Sequence, residues 1–588
     1  MIKFSDVRTG DREFIQHYTL WGKRRNCDLS FANIISWRFL YDTQYAVIDD
    51  YLIFRFHTGR HLAYMAPIPK PVPQADGTYG VPEDSPCPVA VIEQLREDAI
   101  AMGRPFLMIG VCQEMVDSLE KGMPGIFDCL PQRDYFDYIY LRDKLINLSG
   151  KKLQSKRNHI NKFKALYPDY EYRPLTKEII PQCMQLEAKW RKNMAEVDEN
   201  SEVEAQLAEE LRSMTRVFMY WDDLDITGGT IFVKGQLIAF TYGCPINQNT
   251  FDVCVEKADI NYQGSFSIIN QEFVKHLPEQ YLYINREEDL GDEGLRRSKL
   301  SYKPDILLEK YSITESQPLA QFVDQNRIKN EVKELWRKTF KDTEDFINLY
   351  FDKVYQNEYN IVSQIGGKVV GALQTLPYDM RIHQCVVKTV YISGVSVDEA
   401  FRRQNIGTSL MQQAHDTLYY EGVVFATLIP AEKWLYNWYA SCGYVQKITC
   451  TPPPENIRKM TFEDFDKWQK TKDCVLLHDR KGYEVIQEDI SRVPADTPLQ
   501  EHSIPAMIRV INAQKALDVY AQVHPDLKMN FLIHNDRHIR MNNQYIGIED
   551  GKAKATDLPL ENAKVLTISE LAEFLFADET PEMNLMLN

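Results

Sequence analysis

A strand, a short polar loop and a helix start in the second half of the chain carry residue types that suit anion binding. In residues 395–414, VSVDEAFRRQNIGTSLMQQA, a buried strand ends in a loop rich in Arg, Gln, Asn and Gly, and a helix with apolar residues at helical spacing follows. The first N–H groups of a helix have no acceptor inside the helix, and the helix dipole favours negative charge beside them. We therefore expect the amides of residues 404–408 to bind a pyrophosphate, with Arg402 and Arg403 beside it.

The run Arg402–Gly407, RRQNIG, resembles the coenzyme A pyrophosphate loop of the GNAT acyltransferase superfamily. Asn405 stands where the superfamily usually has its first Gly, and Asn is the non-Gly residue that best tolerates a positive φ. The resemblance implies that acetyl-CoA, or another acyl-CoA, is the co-substrate. The residues implied to contact it are Val395, Val397, Arg402, Arg403, Gln404, Asn405, Ile406, Gly407 and Thr408.

A second segment, residues 426–444 (ATLIPAEKWLYNWYASCGY), resembles the next strand and helix of that superfamily. The superfamily pattern ends in Tyr, three residues, Gly and an aromatic residue, which here are Tyr439, Gly443 and Tyr444. The departing CoA thiolate benefits from a proton donor, and the resemblance makes the Tyr439 hydroxyl the candidate. The alternative is that Tyr439 is one of several aromatic rings that only pack this helix.

The attacking amine needs a base, because a simple alkylamine is mostly protonated at pH 7 and attacks only as the free amine. Residues 500–588 resemble the sterol-carrier-like terminal domain of the enhanced-intracellular-survival type of GNAT acetyltransferase. That resemblance implies that the terminal carboxylate, here on Asn588, enters the active site; a frayed terminus is the alternative. Glu432, in the loop PAEKW, is the other candidate base, and its alternative role is to cap the next helix.

Composition narrows the class of protein. A chain of 588 residues with 44% hydrophobic residues predicts several globular domains, and a formal charge of −16 disfavours broad attraction to nucleic acid or anionic membrane. The eleven cysteines stand singly, without C-x-x-C pairs, which is typical of reduced thiols. Without a signal sequence or a run of eighteen apolar residues, we expect a cytoplasmic protein that lacks an integral membrane segment.

No metal site is expected from the spacing of histidines and cysteines. His57 with His61, and His534 with His538, are four residues apart, but in strand and turn contexts this spacing does not place two side chains on one face. Cys442 lies near the proposed site without a neighbouring His, so we interpret it as a small buried thiol.

The first half of the chain, up to about Lys310, alternates strand-like and helix-like segments, which is typical of α/β layers. Residues 234–302 repeat the order of elements in residues 367–444, so the two halves are predicted to share one architecture. The segments RNHINKFKALYPDYEY, FDVCVEKADINYQGSFSIINQEF and INREEDLGDEGLRRSKLSYKP resemble the tandem-GNAT catalytic domain of phosphatidylglycerol lysyltransferases.

That resemblance implies an aminoacyl or acyl donor for the first half, aminoacyl-tRNA among them. A basic helix predicted over Lys151–Tyr167, with six Lys and Arg residues between Lys151 and Lys164, would be the tRNA-docking surface, or else an amphipathic helix with a solvated face. The first half could also be a non-catalytic binding module. The residues proposed for testing are Arg286, Glu287, Glu288, Asp289, Arg296, Arg297 and Lys299, whose alternative role is a salt-bridged loop.

The predicted fold class is α/β with mixed sheets: tandem GNAT-like domains, then a third GNAT domain and a small sterol-carrier-like α/β domain. The predicted boundaries are 1–150 and 151–310 for the two GNAT-like subdomains, 326–450 for the acyl-CoA-binding GNAT domain, 451–499 for a connecting segment and 500–588 for the terminal domain. Residues 312–325 are predicted to be a linker. The leading hypothesis is an acetyl-CoA-dependent N-acyltransferase acting on a small-molecule or peptide amine.

Overall fold

The computed structural model describes residues 2–58, 61–81, 88–102, 104–195, 201–317, 324–365, 367–495 and 497–586. The chain divides into two compact units: unit 1 holds residues 1–98 and 105–317, and unit 2 holds residues 99–104 and 318–588. Both units are mixed α/β structures, as the sequence predicted. In the part of the chain that is described, no helix has the length and apolar character needed to cross a bilayer.

Unit 1 is built on two mixed sheets, and β6 and β7 form a separate two-stranded sheet. The first has the strand order β1-β2-β3-β4-β8-β17-β9, with β5 paired to β3, and the second has the order β11-β12-β13-β14-β15-β10-β16. The strands are β1 (Ser5–Asp6), β2 (Gln44–Ile48), β3 (Tyr51–Thr58), β4 (His61–Tyr64), β5 (Ile68–Pro69), β6 (Val72–Pro73), β7 (Tyr79–Gly80), β8 (Leu107–Val111), β9 (Phe127–Pro131), β10 (Asp137–Leu141), β11 (Glu171–Pro174), β12 (Thr227–Val233), β13 (Gln236–Asn247), β14 (Thr250–Ala258), β15 (Tyr283–Asn285), β16 (Ile306–Leu308) and β17 (Tyr311–Glu315).

The helices of the first half cover these sheets. They are α1 (Arg12–Thr19), α2 (Phe31–Ser36), α3 (Arg38–Tyr41), α4 (Val89–Ala101), α5 (Gln113–Gly122), α6 (Arg142–Asn147), α7 (Gln154–Leu166), α8 (Ile180–Ala195), α9 (Ser201–Met219), α10 (Ser265–His276) and α11 (Glu293–Ser301). Helix α7 confirms the predicted basic helix, and its apolar residues Ile160 and Phe163 are buried. The predicted linker is wrong at its start, because β17 pairs with both β8 and β9 inside the first sheet. Residues 318–323 of that linker lie outside the described residues.

Unit 2 contains an eight-stranded sheet that closes on itself. Its order is β18-β19-β20-β21-β24-β22-β29-β23, and β23 also pairs with β19. A separate four-stranded sheet has the order β27-β26-β25-β28. The strands are β18 (Asn360–Ile365), β19 (Lys368–Ile382), β20 (Cys385–Val397), β21 (Phe425–Leu428), β22 (Val445–Cys450), β23 (Cys474–Leu477), β24 (Ile504–Val510), β25 (Met529–Ile533), β26 (Tyr545–Glu549), β27 (Lys552–Thr556), β28 (Lys564–Leu566) and β29 (Glu582–Met583).

The helices of unit 2 begin with α12 (Gln325–Thr339). The others are α13 (Glu344–Leu349), α14 (Ile406–Tyr420), α15 (Lys433–Ser441), α16 (Phe462–Gln469), α17 (Arg480–Arg492), α18 (Ala513–Val523) and α19 (Ile568–Leu575). Strands β24 and β29 belong to the large sheet, so the segment 500–588 contributes to that sheet as well as forming the small one. The predicted domain boundaries within each unit, and the sterol-carrier likeness, stay predictions.

Both halves contain a long strand that separates from a short parallel neighbour. In unit 1, β14 pairs with β15 only from Thr250 to Asp252 and then continues to Ala258. In unit 2, β20 pairs with β21 only from Thr389 to Tyr391 and then continues to Val397. Each pair therefore opens a cleft between two strands at the carboxyl end of their pairing.

Candidate functional sites

The opened end of β20 is shaped by a bulge. Its pairing with β19 shifts between Ser393 and Ser396, so that Gly394 and Val395 together face one residue of β19. Gly394 has a φ of 62°, and a Cβ there would come within 2.1 Å of the Trp336 ring, so this position accepts only glycine without rearrangement. The bulge turns the strand end that carries Val395 and Val397 toward the start of α14.

The loop between β20 and α14 has the geometry of an anion site. Arg403 and Asn405 both have positive φ, 65° and 59°, so Asn405 does adopt the left-handed conformation that a Gly in this position would supply. Among the described residues, no protein acceptor is bonded to the backbone N–H groups of residues 404–408. The loop therefore leaves five amides open at the positive end of a fifteen-residue helix.

The two arginines of this loop, Arg402 and Arg403, are both exposed. The Arg402 side chain donates from Nε to the Val397 carbonyl oxygen at 3.3 Å, which holds its stem at the loop.

Gly407 provides the close approach between the loop and α15, because a Cβ there would lie 3.2 Å from the Trp438 ring and 3.8 Å from the Val397 side chain. The structure thus brings the strand end, the loop and α15 together.

Tyr439 lies next to Trp438 on α15 and is 6% exposed. Its ring is 4.7 Å from that of Trp438 and 5.9 Å from that of Tyr444. Burial, and after it the neighbouring Cys442, raises the pKa of the Tyr439 hydroxyl above its ordinary value, so the group keeps its proton at neutral pH. It can therefore donate a proton, and it also packs the helix, as the alternative interpretation held.

Of the two candidate bases, the structure describes Glu432 but not Asn588. Glu432 is exposed and accepts a hydrogen bond from Trp434 Nε1 at 2.7 Å. Glu432 stands at the N-cap position of α15, as the alternative held, but its side chain makes no capping bond there. Its backbone carbonyl oxygen accepts the Leu435 N–H. Asn588 lies outside the described residues.

A buried polar chain runs behind α14. The Tyr444 hydroxyl is 3.0 Å from His415 Nε2, and His415 Nδ1 is 2.9 Å from His538 Nδ1. Beside them, Arg509 donates twice to the Asp536 carboxylate at 2.7 and 2.8 Å. Burial and then Arg509 lower the pKa of His538 to about 4, and the same two causes, with His538, hold the pKa of His415 well below its usual range. Both imidazoles are therefore neutral at pH 7.

A second, wholly different cluster lies in unit 1, at the start of β10 and beside the residues that follow β15 and β16. Lys310 is 2% exposed, and its Nζ lies 2.8 Å from carboxylate oxygens of both Asp28 and Asp137 and 3.7 Å from Glu288. Cys27 donates its thiol to Glu288 at 2.9 Å. Burial lowers the pKa of Lys310, but Asp137 and Asp28 outweigh this and raise its pKa well above the ordinary value. We call these five residues the lysine cluster.

A third cluster lies where β14 separates from β15, and it contains no lysine. Asp252 is fully buried on β14, Cys254 follows two residues later, and Glu287 lies two residues beyond the end of β15. Asn33 Nδ2 donates to Asp252 Oδ2 at 3.2 Å and to Glu287 Oε1 at 2.8 Å. Burial, and then the charge of Glu288, raises the pKa of Glu287 to about 8. We call Asp252, Cys254 and Glu287 the acidic thiol cluster.

The residues proposed for testing in the first half fall into distinct environments. Glu287 and Glu288 enter the two clusters, and Lys299 Nζ donates to the Glu288 carbonyl oxygen beside them. Asp289 and Arg296 form the salt-bridged arrangement offered as the alternative, joined at 2.7 Å. The remaining two are Arg286, which is bonded to Glu256 at 3.1 Å and covered by the Tyr302 ring, and Arg297, which is exposed.

Three basic side chains of helix α7 contact other residues of unit 1. Lys156 Nζ lies 4.1 Å from the centre of the Tyr302 ring, Arg157 donates to the Gly150 carbonyl oxygen at 2.8 Å, and Lys164 lies 3.5 Å from Glu272. Lys152 and Lys162 are exposed. The alternative of an amphipathic helix with a solvated basic face describes it well, and tRNA docking stays a prediction.

Sequence reasoning missed most members of the two clusters, namely Cys27, Asp28, Asn33, Asp137, Asp252, Cys254 and Lys310. One local signal was available, since Asp252 and Cys254 alternate on a strand and therefore share one face. Asp137, Lys310 and the adjacent pair Cys27 and Asp28 are separated from one another by more than a hundred residues. They meet only in the folded protein, in which β10 lies between β15 and β16.

Comparisons with known proteins match the two halves to different families. Residues 22–314 match the model described as phosphatidylglycerol lysyltransferase, C-terminal, and residues 326–446 match an acetyltransferase (GNAT) domain. An uncharacterized protein of Mycoplasmoides gallisepticum is 26% identical over 177 residues, which is 30% of this chain and 55% of that protein. The chain thus spans about half the length of this curated relative.

Two solved structures illustrate the similarity. A conserved protein of unknown function from Bacteroides thetaiotaomicron is 47% identical, and the match covers 54% of this chain and 100% of that chain with a TM-score of 0.48. The L-PGS from Bacillus licheniformis is 14% identical, with 53% and 93% of the two chains covered and a TM-score of 0.36.

The lysine cluster yields a stability prediction. Lys310→Met should lower the free energy of unfolding by about 3–5 kcal/mol, because it leaves the buried Asp137 and the partly exposed Asp28 without their cation. Lys310→Met combined with Asp137→Asn should lose less than Lys310→Met alone. Lys70→Met, which breaks an exposed pair with Asp50, is the control and should cost about 0.5 kcal/mol or less. Calorimetry of the four proteins decides, and equal losses for Lys310→Met and Lys70→Met would contradict the prediction.

The neutral His415–His538 pair makes unit 2 sensitive to acid. Because the folded pKa of His538 lies near 4 and the ordinary value is 6.5, the unfolded chain takes up this proton first as the pH falls. The stabilisation is complete above pH 6.5 and is lost toward pH 4, by about 3 kcal/mol in all. Hydrogen exchange of α14 should therefore accelerate from pH 7 to pH 5, after correction for the intrinsic rate, and His538→Asn should weaken this dependence. His524→Asn, at an exposed site, should leave it unchanged; an unaltered profile in His538→Asn would refute the assignment.

Proposed function

We propose that this chain is an acyltransferase that transfers an acyl group from acyl-CoA to a primary amine. Its residues 22–314 match the model of the phosphatidylglycerol lysyltransferase C-terminal domain, and its residues 326–446 match that of an acetyltransferase (GNAT) domain. Acetyl-CoA is the donor in this proposal, and a small-molecule or peptide amine is the acceptor. The reaction belongs to unit 2.

The observation that carries the proposal is the set of open amides at residues 404–408. A pyrophosphate bound there would gain hydrogen bonds from groups that lack protein acceptors, and the helix dipole would favour its charge. Arg402 and Arg403 would add two exposed positive charges at the same place. The bound nucleotide would then extend along the end of β20.

The separation of β20 from β21 supports the placement of the rest of the coenzyme. From Ile392 to Val397, β20 has no strand partner on the β21 side among the described residues, so its backbone groups on that side are available to an extended amide chain. The pantetheine arm of CoA contains two amides that can bond in this way. The thioester would reach the opening between the strands.

In the proposed chemistry, the free amine attacks the thioester carbonyl carbon, a C–N bond forms and the C–S bond breaks. The thiolate takes a proton from the Tyr439 hydroxyl, whose raised pKa keeps it protonated until then. The proton lost by the amine goes to a carboxylate, for which Asn588 and Glu432 are the two candidates. Tyr439 regains its proton from solvent.

Isothermal titration with CoA tests the binding site. Gly407→Asp should weaken CoA binding by at least 10-fold, because it puts a negative charge at the amides, and Arg402→Glu should act in the same direction. Gly407→Ala adds the same Cβ beside Trp438 without the charge and is the matched control for steric effects. Arg480→Glu, at the start of α17, controls for charge alone. The proposal fails if the folded protein does not bind CoA, or if Gly407→Asp and Gly407→Ala bind it alike.

Tyr439→Phe tests the proton donor. We expect kcat to fall by about 100-fold with the KM for acyl-CoA nearly unchanged, since a general acid contributes mainly in the transition state. Tyr436→Phe on the same helix removes a hydroxyl that donates to the Pro505 carbonyl oxygen at 2.7 Å, and it should keep the parent kcat. Steady-state kinetics with a panel of primary amines gives both constants. Equal kcat values for the two variants would assign Tyr439 a packing role.

A further inference from the structure

The two clusters of unit 1 contain the same donor types but differ in charge compensation. In each, one Cys, one Asp and one Glu place their ligand atoms within 4.8 Å of one another: Cys27, Asp137 and Glu288 in the lysine cluster, and Asp252, Cys254 and Glu287 in the acidic thiol cluster. In the first, Lys310 already supplies a positive charge at 2.8 Å from Asp137. In the second, no Lys, Arg or His nitrogen of the described residues lies within 4.0 Å of Asp252 or Glu287.

Lys299 lowers the pKa of Glu287 through its charge, but its Nζ donates to the Glu288 carbonyl oxygen and forms no ion pair with Asp252 or Glu287. A buried pair of carboxyl groups without a directly bonded cation is costly in its ionised form. Asp252 is fully buried, and its Oδ1 has no hydrogen-bond partner among the described residues. Asn33 is the group that holds the two side chains together, since one amide nitrogen donates to both carboxylates. The site is therefore assembled by the fold and still has acceptor capacity that the protein does not use.

The spacing of the donor atoms suits a small tetrahedral ion. Zinc binds oxygen at about 2.0–2.2 Å and sulfur at about 2.3 Å, so neighbouring ligand atoms in a tetrahedron lie about 3.3–3.8 Å apart. Cys254 Sγ is 3.6 Å from Asp252 Oδ2, which falls within this range. A thiolate donor also favours Zn²⁺ over Mg²⁺ and Ca²⁺, which prefer oxygen ligands.

We propose that Asp252, Cys254 and Glu287 bind a Zn²⁺ ion, with Asn33 as the positioning residue that orients both carboxylates. Three protein ligands leave the fourth position of the ion to water or to a ligand at the opening between β14 and β15. Cys254 and Glu287 are partly exposed, which provides the route of entry. All four residues lie in unit 1, so the proposal is independent of acyl-CoA chemistry in unit 2.

The test uses the full chain, freed of metal with a chelator and then titrated with Zn²⁺ against a zinc-sensitive dye. We expect one equivalent to bind, and Co²⁺ in its place to give a thiolate-to-cobalt charge-transfer band. Cys254→Ser should abolish the band and weaken Zn²⁺ binding by at least 10-fold, and Glu287→Gln should weaken it similarly. Asn33→Ala should weaken binding by about 10-fold while keeping the band, because it removes orientation but no ligand.

Cys27→Ser is the matched control, since it changes the equivalent thiol of the cluster that Lys310 already neutralises. It should keep both the band and the affinity. Circular dichroism establishes that each variant is folded. Asp252→Asn would change a fully buried ligand; if it prevents folding, Glu287→Gln, at a partly exposed position, takes its place. The proposal is overturned if the folded parent binds no Zn²⁺, or if Cys254→Ser keeps the parent band and affinity. It is also overturned if methylammonium, an organic cation, raises the melting temperature of the protein while Zn²⁺ does not.

Discussion

Each half of this protein contains two parallel strands that are hydrogen-bonded over only three residues, and this short pairing determines the geometry of the opening beside them. Backbone groups of a central strand are normally satisfied on both sides, and a strand that continues past its neighbour loses that partner. In unit 2 the freed stretch of β20 leads directly into the loop before α14, so an extended ligand amide and a pyrophosphate can be held in line. In unit 1 the same separation exposes Asp252 and Cys254 of β14 to the residues that follow β15.

The same backbone arrangement thus serves opposite electrostatic environments. The opening in unit 2 collects amide dipoles and arginines and attracts negative charge, whereas the opening in unit 1 collects buried carboxyl groups and requires positive charge. The corresponding loop of unit 1, residues 259–264 between β14 and α10, contains no Arg or Lys. A shared fold therefore carries over the position of a site and not its ligand.

How far the sequence predicts these features depends on how local each one is. The loop at residues 402–408 could be located because a strand end, a positive-φ Asn and a helix start lie within twenty residues, and each has its own sequence signature. The lysine and acidic thiol clusters could not, because residues as distant as Cys27 and Lys310 meet only through the strand order. The strand β17 was mistaken for a linker because it is only five residues long and most of its side chains are polar. Fold class and the repeated architecture were predictable because they depend on the order of elements, which is a one-dimensional property.

The position of β24 has a consequence for how unit 2 can be made. This strand lies between β21 and β22, although it follows β22 in the chain by more than fifty residues. During synthesis, β21 and β22 must therefore wait for Ile504–Val510 to leave the ribosome before their facing edges are closed. A chain cut shortly after Cys450 would keep every residue of the acetyltransferase match but would leave one edge of β21 and both edges of β22 unpaired. Unpaired strand edges are the condition under which sheets join to other chains.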